Sequence, residues 1–373
     1  MAETRAQFGV LGPVQLSIDG VQRSVGGPKQ RAVLAYLVIN ANHPVSVDAL
    51  AEAVWEQRPP SDVRASLHAI TSNLRKPLRD AGLDARAVLA QVGAGYRIAV
   101  ADGACDVQRF RARKESGLRD LAAGRFTAAS EALSGALEQW RGPVLADLRG
   151  LGFADAYAAA LDDERIGVIE ARASADIARG RANGVAAELA LIVGAHPLRE
   201  PLWEKLITAL YIGGRQSDAL AALRQLRTTL DDELGIDPGP AIQELEARIL
   251  RQEPLSARAV ADATVTRAST IVEQSVAGAR AELRDTDGTV YPLAGSVTRI
   301  GRLPDNDIVL EHGKVSRQHA VLVDNGSSFV IKDLWSSNGV YVDGERIIDS
   351  VALTDGAVLR IGGFELIFTL VPQ

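Results

Sequence analysis

The chain has 373 residues, long enough for two or three domains with cores of their own, and its 41 Lys and Arg against 47 Asp and Glu give a net charge of −6. That balance excludes binding to nucleic acid by bulk charge and a polybasic membrane anchor, and a single cysteine, Cys105, excludes a disulfide framework and a multi-cysteine zinc site. No basic, apolar and small-residue leader opens the chain, and runs such as Val33 to Ile39 are too short to span a bilayer, so a soluble cytosolic protein is expected.

Charge is unevenly spread. Residues 1–100 carry 11 bases against 8 acids, so an overall −6 with +3 in this segment leaves −9 for the rest. Phe8 to Leu11 and Gln15 to Asp19, broken by Gly12-Pro13 and closed by Asp19-Gly20, predict a small hairpin. Pro28 can open a helix carrying Val33, Leu34, Leu37 and Val38, and Ser46 can cap a second with Val47, Leu50, Ala51 and Val54 on one face. Ser61 can cap a third. In it Val63, Leu67, Ile70, Leu74 and Leu78 form a buried stripe, and Arg64, His68, Thr71, Arg75 and Arg79 repeat that spacing one residue on, widened by Ser72, Asn73 and Lys76. Arg can read guanine edges and Asn adenine edges when such a helix lies in the major groove. Periodicity alone does not separate this from the solvated face of any amphipathic helix. Val88 to Val92, Gly93-Ala94-Gly95 and Tyr96 to Val100, with Arg97, then read as two strands around a glycine turn. Helices followed by such a hairpin make a winged helix-turn-helix.

The run FGVLGPVQLSIDG, GGPKQRAVLAYLVI, VSVDALAEAVW, SLHAITSNLRK and GAGYRIAV resembles the DNA-binding domain of the actinobacterial antibiotic-regulatory (SARP) activators, relatives of response-regulator winged helices. The resemblance implies a recognition helix at about Ser61–Lys76, a wing near Gly93–Tyr96, promoter DNA as partner, and DNA contacts from Arg64, His68, Thr71, Ser72, Asn73, Arg75, Lys76 and Arg97. Pro77 departs from the leucine usual in that family. It removes an amide and crowds the Asn73 carbonyl, which predicts a helix that kinks or ends at Lys76.

Residues 104–253 read as helix throughout. Ala123-Gly124-Arg125, Arg179-Gly180-Arg181 and Gly213-Gly214-Arg215 each precede an Ala-rich helix, and Gly180 to Gly214 is the 34-residue tetratricopeptide period. The longer interval from Gly124 predicts an inserted helix. With LREPLWEKLITALY and DDELGIDPGPAIQELEARIL, this stretch resembles the bacterial transcriptional activation domain that follows the winged helix in the same family. Its expected work is protein contact, with RNA polymerase or with a second copy as a homodimer on DNA.

Residues 254–280 lack helical and strand periodicity and read as a linker. From 281 onward, Asp287-Gly288, Asn325-Gly326, Asp343-Gly344 and Gly362-Gly363 separate short apolar stretches, among them Val321 to Val323, Phe329 to Ile331, Val340 to Val342 and Phe364 to Leu370. That pattern predicts an all-β sandwich of net charge −5, from 8 bases and 13 acids. Polar residues gather in three predicted strand-end loops, Gly301-Arg302, Ser316-Arg317 with His319, and Ser337-Asn338-Gly339, where an Arg fork and Ser hydroxyls suit a phosphate and Asn suits a peptide backbone. TRIGR, VSRQHA and SSNGVYVDG resemble the forkhead-associated (FHA) domain. The resemblance implies phosphothreonine recognition, with Arg302, Ser316, Ser337 and Arg317 on the phosphate, Asn338 on the peptide main chain, and Gly301, His319 and Gly339 shaping the loops.

The expected fold class is thus multidomain α+β: a winged helix-turn-helix over 1–103, an all-α tetratricopeptide-like bundle over 104–253, a linker over 254–280 and an all-β FHA sandwich over 281–373. That order resembles the EmbR-type regulators of mycobacteria, and it implies a transcription factor whose FHA domain docks a phosphothreonine-bearing protein, foremost a Ser/Thr protein kinase. The alternative is a kinase-binding adaptor or competitor with weak DNA binding, suggested by Pro77 and the modest +3. Enzyme chemistry finds no support. The five histidines (His43, His68, His196, His312, His319) lack ligand spacing, Cys105 has no evident base, and neither a cofactor nor a metal is expected.

Overall fold

The computed structural model describes residues 6–56, 58–255, 280–293, 297–303, 306–324, 329–334, 336–347 and 350–371, with positions 257, 260 and 265. The expected linker lies almost wholly outside the described residues, as does the Asn325-Gly326 turn. Contacts divide the chain into two compact units, one of Met1–Arg111, Glu138–Glu164 and Gln274–Gln373, the other of Ala112–Leu137 and Arg165–Glu273.

In the first unit, β1 (Ala6–Gly9), β2 (Gln15–Ile18) and β3 (Val21–Arg23) form an antiparallel sheet, one strand more than the predicted hairpin. Val21–Arg23 is exposed throughout, so it carries no burial pattern to reveal it. Helix α1 (Pro28–Ile39) starts on its proline, and the Gln30 side chain accepts the Gly27 N–H. The short β4 (Val45–Ser46) leads into α2 (Val47–Trp55), capped by the Ser46 hydroxyl on the Ala49 N–H at 3.1 Å. Helix α3 (Val63–Asp80) is capped by Asp62, not by Ser61 as the sequence suggested: Asp62 Oδ1 accepts the Ala65 N–H at 2.9 Å. Leu67, Leu74 and Leu78 are buried as predicted, and each contributes about 1.5–3 kcal/mol by leaving water.

Helix α3 does not stop at Lys76. It runs through Pro77 to Asp80 without a break. The apolar stripe explains this, because Leu78, 3% exposed, reaches the core only if the turn after Pro77 stays helical. A one-turn helix absent from the sequence reading, α4 (Ala85–Val88), precedes the hairpin of β5 (Leu89–Val92) and β6 (Gly95–Ile98), and β4 joins that hairpin as a third strand. Helix α1 packs on α2 and α3.

Helix α5 (Asp106–Ala122) opens on a carboxylate that organises this unit. Asp106, 2% exposed, accepts the backbone N–H of Val10, Leu11 and Val107 at 2.9–3.0 Å and pairs with Arg141 at 3.1 Å. A buried charge needs such a full set of partners.

After α6 (Phe126–Leu137), the expected inserted helix is instead a non-helical stretch with a 3₁₀ turn at Ala146–Leu148, followed by the 27-residue α7 (Gly152–Ala178). The extra length therefore sits in a loop and in one long helix. In the second unit, α8 (Ala182–Ile192), α9 (Glu200–Ile212), α10 (Gln216–Leu234) and α11 (Pro240–Leu250) surround Trp203, which is 1% exposed and donates its indole N–H to the Pro197 carbonyl at 2.9 Å. The three Gly-Arg phrases are the turns before α6, α8 and α10, as predicted.

The C-terminal residues of the first unit form a sandwich. One sheet holds β10 (Ile308–Val309), β9 (Val297–Gly301), β11 (Ala320–Asp324), β12 (Phe329–Asp333) and β15 (Ser350–Leu353) in that order. The other holds β14 (Glu345–Arg346), β13 (Val340–Val342), β16 (Val358–Ile361), β17 (Phe364–Val371), β7 (Arg280–Asp285) and β8 (Val290–Leu293). Leu283, Ile300, Leu322, Ile331, Leu359 and Phe368 fill the space between them. Among the described residues no helix is long and apolar enough to cross a membrane.

Candidate functional site

Register fixes where the polar loops of the sandwich emerge. Ile300 pairs Ala320 across β9 and β11, so Gly301-Arg302 leaves β9 beside the residues 316–319 that enter β11. The Arg302 N–H donates to the Ser316 carbonyl at 3.0 Å. Gly301 is required at this crossing, because a Cβ there would overlap the Arg317 carbonyl.

The third loop closes onto the second. The Ser337 N–H donates to Ser316 Oγ at 3.1 Å, which leaves that hydroxyl's own proton for a ligand, and Asn338 Nδ2 donates to the Lys314 carbonyl at 2.7 Å, which leaves its amide oxygen as an acceptor. Gly339 turns with φ +75°, in the left-handed region, and its N–H donates to Ser336 Oγ at 2.9 Å. His319, fully buried, accepts the Ser316 N–H on Nδ1 at 3.0 Å and holds Nε2 3.1 Å from the Gly339 carbonyl. That network assigns the proton to Nε2, and burial holds the imidazole's pKa below its ordinary value.

All eight residues of the FHA resemblance therefore meet at one end of the sandwich. Arg302, Arg317, Ser337 and Asn338 are exposed there, with Ser316 half-buried between them. The oriented Ser316 hydroxyl, a second hydroxyl on Ser337 and two exposed arginines on adjoining loops suit a phosphate dianion.

Asn306 also belongs to this loop cluster. It is 7% exposed, and its Nδ2 donates to the carbonyls of Leu303 and Arg317 at 2.9 and 2.8 Å, pinning the first loop to the second. An asparagine between two aspartates in a turn carries no signal that separates it from an ordinary turn residue.

The predicted DNA face of α3 is only partly as expected. Arg64, His68, Ser72, Asn73, Lys76 and Arg79 are exposed, and Arg97 is exposed on β6. Thr71 is not available to DNA: it is fully buried, and its hydroxyl donates to the His68 carbonyl at 3.1 Å. Arg75 is half-buried, and its Nε and Nη2 both donate to the Leu89 carbonyl at 2.9 and 2.8 Å, tying α3 to the hairpin. Burial lowers its pKa. The outward row is therefore Arg64, His68, Ser72, Lys76 and Arg79, with Asn73 beside it and without Thr71 and Arg75.

Cys105 is 5% exposed, and burial, with the adjacent Asp106 charge second, pushes its thiol up to about 12. Among the described residues no group of three or more His, Cys, Asp or Glu could hold a metal ion.

Three family models match in chain order: the C-terminal domain of transcriptional regulatory proteins over residues 22–98, the bacterial transcriptional activator domain over 105–250 and the FHA domain over 298–362. Across 373 aligned residues the chain is 52% identical to the transcriptional regulatory protein EmbR of Mycobacterium tuberculosis and of Mycobacterium bovis, covering 99% of this chain and 96% of theirs. The chain belongs to the EmbR family of transcriptional regulators. The EmbR fold is matched over its full extent: the solved structure of M. tuberculosis EmbR in complex with a low-affinity phosphopeptide superposes with a TM-score of 0.91, covering 100% of this chain and 99% of that one. A shorter relative, the transcriptional regulatory protein MoaR1 of M. tuberculosis, is 45% identical over 250 residues, 67% of this chain and 80% of its own. The EmbR family is thereby a SARP-type regulator with an added FHA domain.

Proposed function

We propose that this regulator binds promoter DNA through α3 and the β5–β6 hairpin, and that its FHA domain docks a phosphothreonine on a Ser/Thr protein kinase, coupling kinase signalling to transcription in the cytoplasm. The observation that carries the reading is the convergence of Arg302, Ser316, Arg317, Ser337 and Asn338 on one sandwich end, braced by His319. The solved complex of the relative M. tuberculosis EmbR with a low-affinity phosphopeptide supports phosphopeptide binding as the kind of recognition. The functional modules are residues 1–103, 104–253 and 281–373 joined by 254–280, with the helical module serving contact to RNA polymerase or to a second copy. The protein is not an enzyme in this reading, and Cys105, with its raised pKa, is no nucleophile.

The adaptor alternative loses its main motive, because α3 continues through Pro77 and keeps Arg79 on the helix. Gel-shift titration at several salt concentrations separates the two. Sequence-specific binding with a steep salt slope supports the regulator, whereas tight kinase binding without sequence preference supports the adaptor.

A further inference from the structure

Arg299 sits in β9, three residues before Arg302, and serves two structures at once. Its backbone N–H donates to Asp307 Oδ2 at 2.8 Å, and its Nε and Nη2 face the same carboxylate at 3.1 and 3.4 Å. Asp307 immediately precedes β10, which pairs β9 at Ile300 and Gly301, so this fork ties the start of β10 to the strand that leads into Arg302. The remaining nitrogen, Nη1, donates to the Tyr36 hydroxyl at 2.6 Å, and the guanidinium carbon lies 5.7 Å from the centre of the Tyr36 ring.

Tyr36 belongs to α1 and is 4% exposed. Its ring meets Phe153 edge-on at 5.1 Å, and its helix packs directly on α3. The Arg299 side chain is itself only 14% exposed, so water competes weakly for these bonds. A second tie joins the same two parts of the unit: Arg111 of α5, paired with the buried Glu164 at 3.0 Å, donates to the Asp324 carbonyl at the end of β11, the strand bonded to β9.

We infer that Arg299 is a positioning residue that links phosphothreonine docking to the DNA-binding helices through Tyr36. This rests on the function proposed above. A phosphate drawing on Arg302 pulls on the end of β9, the strand that carries Arg299, and the Arg299 side chain passes the change to Tyr36 and α1. Such coupling is reciprocal: phosphopeptide and DNA each change the other's affinity by one shared factor.

The test uses the full chain, a fluorescent degenerate phosphothreonine peptide, and a duplex enriched from a random library by the wild-type protein. In the wild type, saturating peptide changes duplex affinity on the order of fivefold or more, and duplex changes peptide affinity by the same factor. Tyr36→Phe removes one hydroxyl and keeps the ring. It should bind each ligand alone within about twofold of wild type while the mutual factor collapses to within about twofold of unity. Arg299→Lys keeps a cation against Asp307 but cannot span to Tyr36, so it too should lose the mutual factor at an unchanged thermal midpoint. A full factor in either folded variant overturns the inference, and so does a wild type that binds both ligands without mutual effect. A wild type that binds no peptide or no duplex overturns the underlying function instead.

Discussion

Ser316 and Gly339 are joined through one buried ring: His319 takes the Ser316 N–H on Nδ1 at 3.0 Å and lies 3.1 Å from the Gly339 carbonyl on Nε2. Protonating the ring would put a donor opposite the Ser316 N–H. Because burial holds the folded pKa below 6.5, the unfolded chain takes up the proton first as pH falls. The contribution to stability is complete above 6.5 and is lost as pH drops below it. Denaturant melts of the wild type should lose stability between about pH 7.5 and pH 5.5, and His319→Gln, though less stable at the upper pH, should lose less over that span. Parallel losses in the two proteins would show that another group carries the dependence.

Arg302 is the exposed cation at the start of the first loop, its backbone already fixed by the Ser316 carbonyl. Arg302→Ala should cost about 1.5–3 kcal/mol of phosphopeptide affinity, the value of a charged hydrogen bond, with DNA binding alone unchanged. Fluorescence polarisation with a phosphothreonine peptide measures it. Undiminished binding would remove Arg302 from the phosphate site.

Arg75 and Lys76 are neighbours in α3, the first bonded to the Leu89 carbonyl and the second exposed. Arg75→Ala strips two donors from the Leu89 carbonyl and should lower stability by about 1–2 kcal/mol, weakening DNA binding through a loosened hairpin. Lys76→Ala should leave the melt unchanged, weaken binding to all sequences and reduce the salt slope by about 1. Gel shifts at several salt concentrations, run beside thermal melts, distinguish the two. A Lys76→Ala slope equal to wild type would take that side chain off the phosphate backbone.

Pro77 lies inside an unbroken helix. Pro77→Leu gives back an amide for the Asn73 carbonyl and should stabilise the protein by up to about 3 kcal/mol, with sequence preference on DNA unaltered. A lower melting temperature would show that the surroundings of position 77 are shaped to the proline ring.

Local pattern sufficed for the order of the modules and for the places of their polar loops. The stripe from Leu67 to Leu78, the Gly-Arg turns and the three polar loops of the sandwich are local patterns, set by backbone periodicity and turn chemistry, and each stands where the spacing put it. What tertiary structure decided is which side chains are free to act. Thr71 and Arg75 share their helical spacing with His68 and Arg79, yet core packing buried the first and the β5 carbonyl claimed the second, because burial depends on partners remote in sequence. Pro77 does not end the helix for the same reason: the local penalty of proline is real, but tertiary burial of Leu78 outweighs it. Asn306, Asp106 and the Arg299–Tyr36 bond are likewise invisible to any local pattern, since each joins residues that only the folded chain brings together.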